Sequence, residues 1–214
     1  MERISLKQSL PLVFAENADV KSDIWNSDVC FEKGRTYLIK ANSGTGKSSL
    51  CSFIYGYRVD FSGNIYFDNT DITSLKASGW DEVRQKNLSL MFQELRLFPE
   101  LTSIENIRLK NNQSRFKTEA EIDVLLERLG VAERKDHLIG KMSWGQQQRV
   151  AIIRALCQPF DFLMIDEPIS HLDETNAMIV SQIIQEEIEK QNAGLIVTSI
   201  GKDLPMDYLQ ILSL

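Results

Sequence analysis

The chain has 214 residues, 43% of them apolar, and a formal net charge of -6. That length suits one large domain, or one domain with a small subdomain, with enough apolar side chains for a real core. The acidic balance excludes a nonspecific nucleic-acid binder, which needs a basic face, and no run approaches the roughly 18–20 apolar residues that span a bilayer. The first six residues lack the apolar stretch of a signal peptide. Cys30, Cys51 and Cys157 are scattered without CxxC spacing, which reads as reduced cytosolic thiols that fill the core.

In chain order, residues 4–6, 24–31, 37–40 and 65–67 are β-prone runs. Asn17, Asp19 and residues 61–64 are turn signals between them. Phe14 offers an aromatic face that either stacks on a base or packs in a small sheet. The run at 36–39 reads as a buried strand, and residues 50–54 as the first turns of a helix. Between them lie Ala41, Asn42, Ser43, Gly44, Thr45, Gly46, Lys47, Ser48 and Ser49. Strand, glycine-rich turn, lysine–hydroxyl pair and helix is the context of a phosphate loop. Small residues let successive backbone N–H groups face one anion, and the helix N-terminus adds its positive dipole end. Lys47 supplies charge for the β- and γ-phosphates, and the Ser48 hydroxyl suits Mg²⁺.

Residues 88–92 form an apolar run that ends at Gln93, and residues 94–99 mix apolar and charged side chains. Helical spacing at 118–129 puts Ile122, Leu125, Leu126 and Leu129 on one face, with Gly130 as a stop. Residues from about 94 to 142 are therefore expected to be a helical insert in an α/β core. A second chemical stretch, 141–149, opens a helix carrying Val150, Ile153, Ala155 and Leu156 before Pro159. Ser143 there is either an ordinary N-cap or an anion ligand acting with exposed backbone N–H groups. The third stretch, 160–168, is an apolar strand ending in Asp166 and Glu167. Acids at that edge of a parallel sheet can hold Mg²⁺ through water and orient an attacking water; the bland alternative is a pair of loop acids. A helix over 175–191 buries Ile179, Ile183, Ile184 and Ile188. Residues 209–214 read as a last strand, with no regulatory domain expected beyond it.

Taken together, these stretches resemble the ATP-binding cassette (ABC) ATPases over essentially the whole chain. Residues 41–49 are similar to Walker A, Gln93 to the Q-loop glutamine and residues 142–146 to the signature sequence. Asp166 is similar to the Walker B aspartate, Glu167 to the catalytic glutamate beside it, and residues 170–173 to the D-loop with Asp173. Residues 92–94 and 98–102 are similar to the branch serving lipoprotein release, macrolide export and cell division.

The resemblance implies a fold: an α/β P-loop NTPase, one cassette over 1–214. It has a RecA-like parallel-sheet core, a small antiparallel β subdomain and a helical subdomain. It also implies ATP and Mg²⁺ as cofactors, with Ser48, Gln93 and Asp166 around the metal. Two cassettes, identical or not, would close head to tail on two ATP molecules. Ser143, Trp144, Gly145 and Gln146 of one chain would then face the nucleotide held by Lys47 of the other. Phe14 becomes the adenine-stacking aromatic. An integral membrane permease would dock near Leu95, Leu97 and Phe98, which places the chain on the cytoplasmic face of the cell membrane.

Three positions depart from the family pattern. Ala41 and Trp144 stand where glycines are expected, and Ser199 stands at the switch-histidine position. A serine can donate one hydrogen bond to the γ-phosphate but lacks the reach and charge of an imidazole. A lost hydrogen bond to a charged group is worth roughly 1.5–3 kcal/mol, about 10- to 150-fold in rate if wholly expressed in the transition state. The expectation is a slow ATPase. Two other readings stay open at this point: a non-transport ABC protein acting on ribosomes or DNA, and a regulatory module that dimerises on ATP with little hydrolysis.

Overall fold

The computed structural model describes residues 1–16, 21–42 and 44–214. Nine strands and six α-helices are defined among them. The strands are β1 (Arg3–Pro11), β2 (Asp28–Glu32), β3 (Thr36–Lys40), β4 (Phe61–Phe67), β5 (Thr70–Asp71), β6 (Leu88–Met91), β7 (Phe162–Asp166), β8 (Gly194–Ser199) and β9 (Gln210–Ser213). The helices are α1 (Lys47–Ile54), α2 (Ala77–Lys86), α3 (Ser103–Ser114), α4 (Glu119–Arg128), α5 (Trp144–Leu156) and α6 (Glu174–Gln191). None of the described helices is long and apolar enough to cross a membrane.

Two sheets divide the strands. β2-β1-β4-β5 is antiparallel, and β6-β7-β8-β3-β9 is wholly parallel. The parallel sheet is covered on both faces, as its uninterrupted apolar strands require. Phe162, Met164 and Ile196 join a core with α1 and the antiparallel sheet. Leu163, Ile165, Leu195 and Val197 join a second core with α3, α4, α5 and α6. Strand register decides which side chains meet at the sheet's edge. Asp166 pairs with Thr198, and Ser199 pairs with Lys40. The carboxyl ends of β7, β8 and β3 therefore lie side by side, at the edge where α/β sheets hold ligands.

The helices begin where side-chain caps can serve their free N–H groups. Thr102 with Glu105, Thr118 with Glu121, and Ser143 with Gln146 form reciprocal capping boxes on α3, α4 and α5.

Several sequence expectations change. The β-prone run at 24–31 is a strand only from Asp28; Asn26 has a φ of +54°, which breaks the pleat, while Ile24 and Trp25 are buried. Residues 61–64 are not a turn but the start of β4. Gly63 there has a φ of +76°, and a Cβ on it would lie 2.2 Å from the Gln8 carbonyl oxygen. The register of β1 against β4 shifts beside it, so the Gly-Asn pair marks a bulge rather than a reversal. α2 has no counterpart among the elements expected from the sequence. The turn signals Asn17 and Asp19 lie outside the described residues.

Candidate nucleotide site

β3 ends at Lys40, and the Ala41 amide donates to the Ser199 carbonyl at 3.1 Å, tying the loop to the neighbouring strand. The loop is braced from within and behind. Thr45 Oγ1 donates to the Asn42 carbonyl at 2.9 Å, and the Trp25 indole N–H donates to the Thr45 carbonyl at 3.0 Å. Gly44 and Gly46 both have positive φ, +85° and +95°. Gly46 is also confined, because a Cβ would sit 3.0 Å from the Phe14 ring and 3.2 Å from Trp25. It caps α1, so Lys47 and Ser48 are the first helical residues, at the positive end of the helix. Ser43 lies outside the described residues.

From the other side, β7 delivers two acids. Asp166 is 3% exposed and accepts from Lys47 Nζ at 3.0 Å, from Ser48 Oγ at 3.2 Å and from the Thr198 hydroxyl. Glu167 follows with a φ of +54° and takes a second hydrogen bond from Lys47 Nζ. Its carbonyl accepts from Gln148 Nε2 at 3.0 Å, and its amide donates to the Thr198 carbonyl. Burial works against the Lys47 ammonium, yet the two carboxylates outweigh it and raise its pKa above the ordinary lysine value. Sequence reasoning missed Thr198 and Gln148. The strand register, with Thr198 opposite Asp166, is what brings the hydroxyl in.

These groups open onto a cavity of about 360 Å³ lined by Phe14, Asn42, Gly44, Gly46, Lys47, Ser48, Ser49, Gln93 and Glu167, together with Val13 and Ile200. Gln93 and Phe14 thus reach the same space from two further elements. Ser48 Oγ and the Asp166 carboxylate offer hard oxygen donors. That set suits Mg²⁺, which takes few protein ligands and the rest from phosphate and water. Among the described residues no cluster of three metal-ligating side chains exists that would make a self-contained protein cage.

A family model for ABC transporters matches residues 24–170. The chain belongs to the ABC transporter family. As a cassette it is similar, at 34% identity over 81% of its length, to an uncharacterised ABC transporter ATP-binding protein of Mycobacterium tuberculosis. The match spans about half, 53%, of that relative. It is 33% identical, over 80% of its length and 77% of the other chain, to the lipoprotein-releasing system ATP-binding protein LolD of Syntrophotalea carbinolica. Among solved structures, the ATP-binding cassette MJ0796, dimeric and bound to ADP and Pi, superposes with a TM-score of 0.74. Sequence identity there is 25%, over 92% of this chain and 87% of that one. The chain therefore has the ABC-type P-loop fold, with a parallel-sheet core and an antiparallel β subdomain.

Within the cassette, the signature residues stand apart from this chain's own cavity. Ser143, Trp144, Gly145 and Gln146 do not line it. Ser143 Oγ caps α5 by accepting from the Gln146 amide, so its hydroxyl serves the helix in the free chain. Trp144 is 43% exposed, and its ring lies edge-on to His171, centroids 5.7 Å apart. The indole thus leans on the D-loop. Gly145 is packed closely there, since a Cβ would meet the His171 carbonyl at 3.1 Å. Asp173 caps α6 through the Asn176 amide, a bond that holds its carboxyl below the usual carboxylate range. Asn176 also accepts from Arg149 of α5.

Two expectations need correction. Ser199 is 2% exposed, and its hydroxyl donates to the Lys202 carbonyl at 2.6 Å, closing a turn. It does not line the cavity; Ile200 does. Thr198 faces Asp166, so parity at the end of β8 turns Ser199 the other way. Leu95, assigned to a docking surface, is instead 2% exposed and part of the second core. Leu95 and Arg96 both have positive φ, +59° and +48°, and Arg154 donates to both of their carbonyls. That clamp turns Leu95 inward, leaving Phe98 exposed and Leu97 partly covered.

Proposed function

We propose that this cassette, one domain over 1–214 with a helical subdomain at about 94–142, binds ATP with Mg²⁺ and hydrolyses it. It does so in a dimer of cassettes that drives a separate membrane protein from the inner face of the cell membrane. The observation that carries the reading is the convergence of Lys47, Ser48, Glu167 and Gln93 on one cavity at the carboxyl edge of the sheet, with Asp166 buried behind it and bonded to Lys47 and Ser48.

The residues divide the labour by position. The loop N–H groups and the α1 N-terminus attract the phosphates, and Phe14 offers a face for the base. Lys47 leaves Glu167 for the β- and γ-phosphates, which frees the carboxylate to orient a water and take its proton. Asp166 and Ser48 would hold Mg²⁺, whose chemistry is to neutralise charge on the phosphate oxygens. Gln93 touches the cavity, while Phe92, Arg96 and Phe98 line a groove on the far side of the same short segment. A partner seated in that groove is thereby one loop away from the γ-phosphate. Ser143 and Gly145, unused by this chain's own cavity, complete the partner cassette's site. That the MJ0796 cassette is dimeric supports the pairing, and the similarity to LolD supports a membrane-coupled role.

A second reading is an ATP-binding regulatory module. It is favoured by Ser199, whose hydroxyl is committed to Lys202 and adds nothing to the γ-phosphate. Light scattering of Glu167→Gln with Mg²⁺ and ATP tests the pairing. The expected result is a dimer with ATP, absent with ADP and absent when Ser143→Arg is added. A monomer under all three conditions would refute it.

A further inference from the structure

α5 buries Val150, Ala151, Ile152 and Ile153, and among these apolar residues it also buries the amide of Gln148, 1% exposed. A buried amide is well placed only when both of its ends are paired. Here one end is paired. Nε2 donates to the Glu167 carbonyl at 3.0 Å, while Oε1 is buried and meets no donor among the described residues. An unpaired buried acceptor costs stability, so an apolar side chain of the same size would suit the packing of α5 as well. What the amide does that such a side chain cannot is hold the Glu167 carbonyl.

That carbonyl belongs to a backbone that needs holding. β7 is extended through Asp166, so the side chain of the next residue is due on the opposite face. Yet Asp166 and Glu167 both reach Lys47 Nζ, and Glu167 lines the nucleotide cavity. The positive φ of Glu167, +54°, breaks the alternation and brings its carboxylate round. That conformation is strained for a residue other than glycine, and Pro168 pushes the residue before it toward extended backbone. Two hydrogen bonds pin Glu167 on either side. Its amide donates to the Thr198 carbonyl at 3.1 Å, continuing the pairing of β7 with β8. Its carbonyl accepts only from Gln148 among the described residues.

We propose that Gln148 is a positioning residue for hydrolysis: its amide holds Glu167 in the left-handed conformation that turns the carboxylate into the nucleotide cavity. The proposal rests on the ATPase reading above and adds a residue to it. Without the bond, Glu167 relaxes toward extended backbone and its carboxylate swings away from Lys47 and the cavity. Nucleotide binding is spared, because Lys47 and Ser48 keep their bonds to Asp166. Gln148 acts within its own chain, on its own Glu167, although it stands on the helix whose N-terminus faces the partner cassette's nucleotide in the proposed dimer.

The test compares Gln148→Met and Gln148→Glu with the unaltered chain and Glu167→Gln, by phosphate release at varied ATP and by thermal unfolding. Gln148→Met keeps the volume and removes the donor. Its kcat should fall about 10- to 100-fold, while KM for ATP stays within about twofold and Tm within about 4 °C. Gln148→Glu keeps the shape, and burial favours its neutral acid, whose O–H can donate to the Glu167 carbonyl. Its turnover relative to the unaltered chain should climb as pH falls from about 9 to 6, which a packing defect would not produce. Mixing Gln148→Met with Glu167→Gln before ATP is added should restore nothing, since neither chain then carries a working, held Glu167. Recovery in the mixture would put the defect at the α5 N-terminus acting on the partner, and overturns the proposal. So does an unchanged kcat in Gln148→Met, or a fall in Tm and ATP affinity in step with kcat, or a Gln148→Glu ratio that ignores pH. Loss of turnover in Glu167→Gln but not in Gln148→Met removes the proposal alone; full turnover in Glu167→Gln removes the ATPase reading with it.

Discussion

Glu167→Gln separates the two roles assigned to that carboxylate. In the free chain Glu167 shares Lys47 with Asp166, and Lys47 is 6% exposed. Replacing Glu167 by Gln removes one charge-assisted partner but leaves Asp166 at 3.0 Å, so the ammonium is not stranded. The cost is one hydrogen bond to a charged group, about 1.5–3 kcal/mol, rather than the roughly 3–5 kcal/mol of a fully broken buried pair. For a chain of this size each kcal/mol shifts Tm by about 2–4 °C, so the expected loss is roughly 3–12 °C without nucleotide. With saturating ATP, Lys47 sits on phosphate in both proteins, and the gap should close. Removal of the group that takes the water's proton should meanwhile slow hydrolysis by about 10²–10⁴. Thermal unfolding with and without ATP, beside phosphate release, reads both effects. An equal Tm loss in both conditions would refute the picture of Lys47 moving from Glu167 to phosphate.

The same geometry sets other outcomes. Ser199→Ala should leave turnover within about twofold, because the hydroxyl serves Lys202; Ile200→His, entering the cavity, should raise it, with the lost hydrogen bond setting a ceiling of about 10- to 150-fold. Ser199→His should cost about 1–3 kcal/mol by overpacking a buried turn, read by denaturant unfolding. Gly63→Ala should destabilise by roughly 1–3 kcal/mol, because the left-handed backbone is combined with contact on the Gln8 carbonyl. Lys110 has a folded pKa of about 8, below its unfolded value, so the unfolded chain binds more protons between the two. Its penalty is present below about pH 8 and is relieved as pH rises. Lys110→Met should therefore raise Tm at neutral pH and lose that advantage near pH 10.5. Lys47 behaves oppositely: its pKa is raised, so its contribution persists through neutral pH and is lost as pH climbs from the ordinary lysine value of 10.5 through that raised value.

Much of the site was legible because its chemistry is local. A strand, a loop with two positive-φ glycines and a helix beginning at Lys47 are consecutive in the chain, and Asp166 ends a fully buried strand with Glu167 directly after it. The misreadings came from causes that are not local. Leu95 alternates with charges and looks superficial, yet a distant guanidinium, Arg154, clamps its backbone and turns it inward. Ser199 occupies the expected position in sequence, but the last residues of β8 alternate sides, and Ile200 takes the cavity wall. α2 buries no residue fully, so its apolar periodicity is too thin to register. Gly63 and Asn64 look like a hairpin turn, but Gly63 faces a bulge at Gln8 and Ser9 of β1, and its positive φ serves that irregular pairing. The groove beside Gln93 had no sequence signal, since Arg96, Lys110 and Arg154 come together only when α3 and α5 pack around residues 92–98.

The most direct test of a cassette ATPase built on Glu167 is steady-state phosphate release by the purified chain with Mg²⁺ and ATP, beside Glu167→Gln. The predicted result is slow but measurable turnover that rises with the square of chain concentration and disappears in Glu167→Gln. Turnover of equal size in both proteins, or first-order in chain concentration, would contradict an ATPase built on Glu167 and completed by a second cassette.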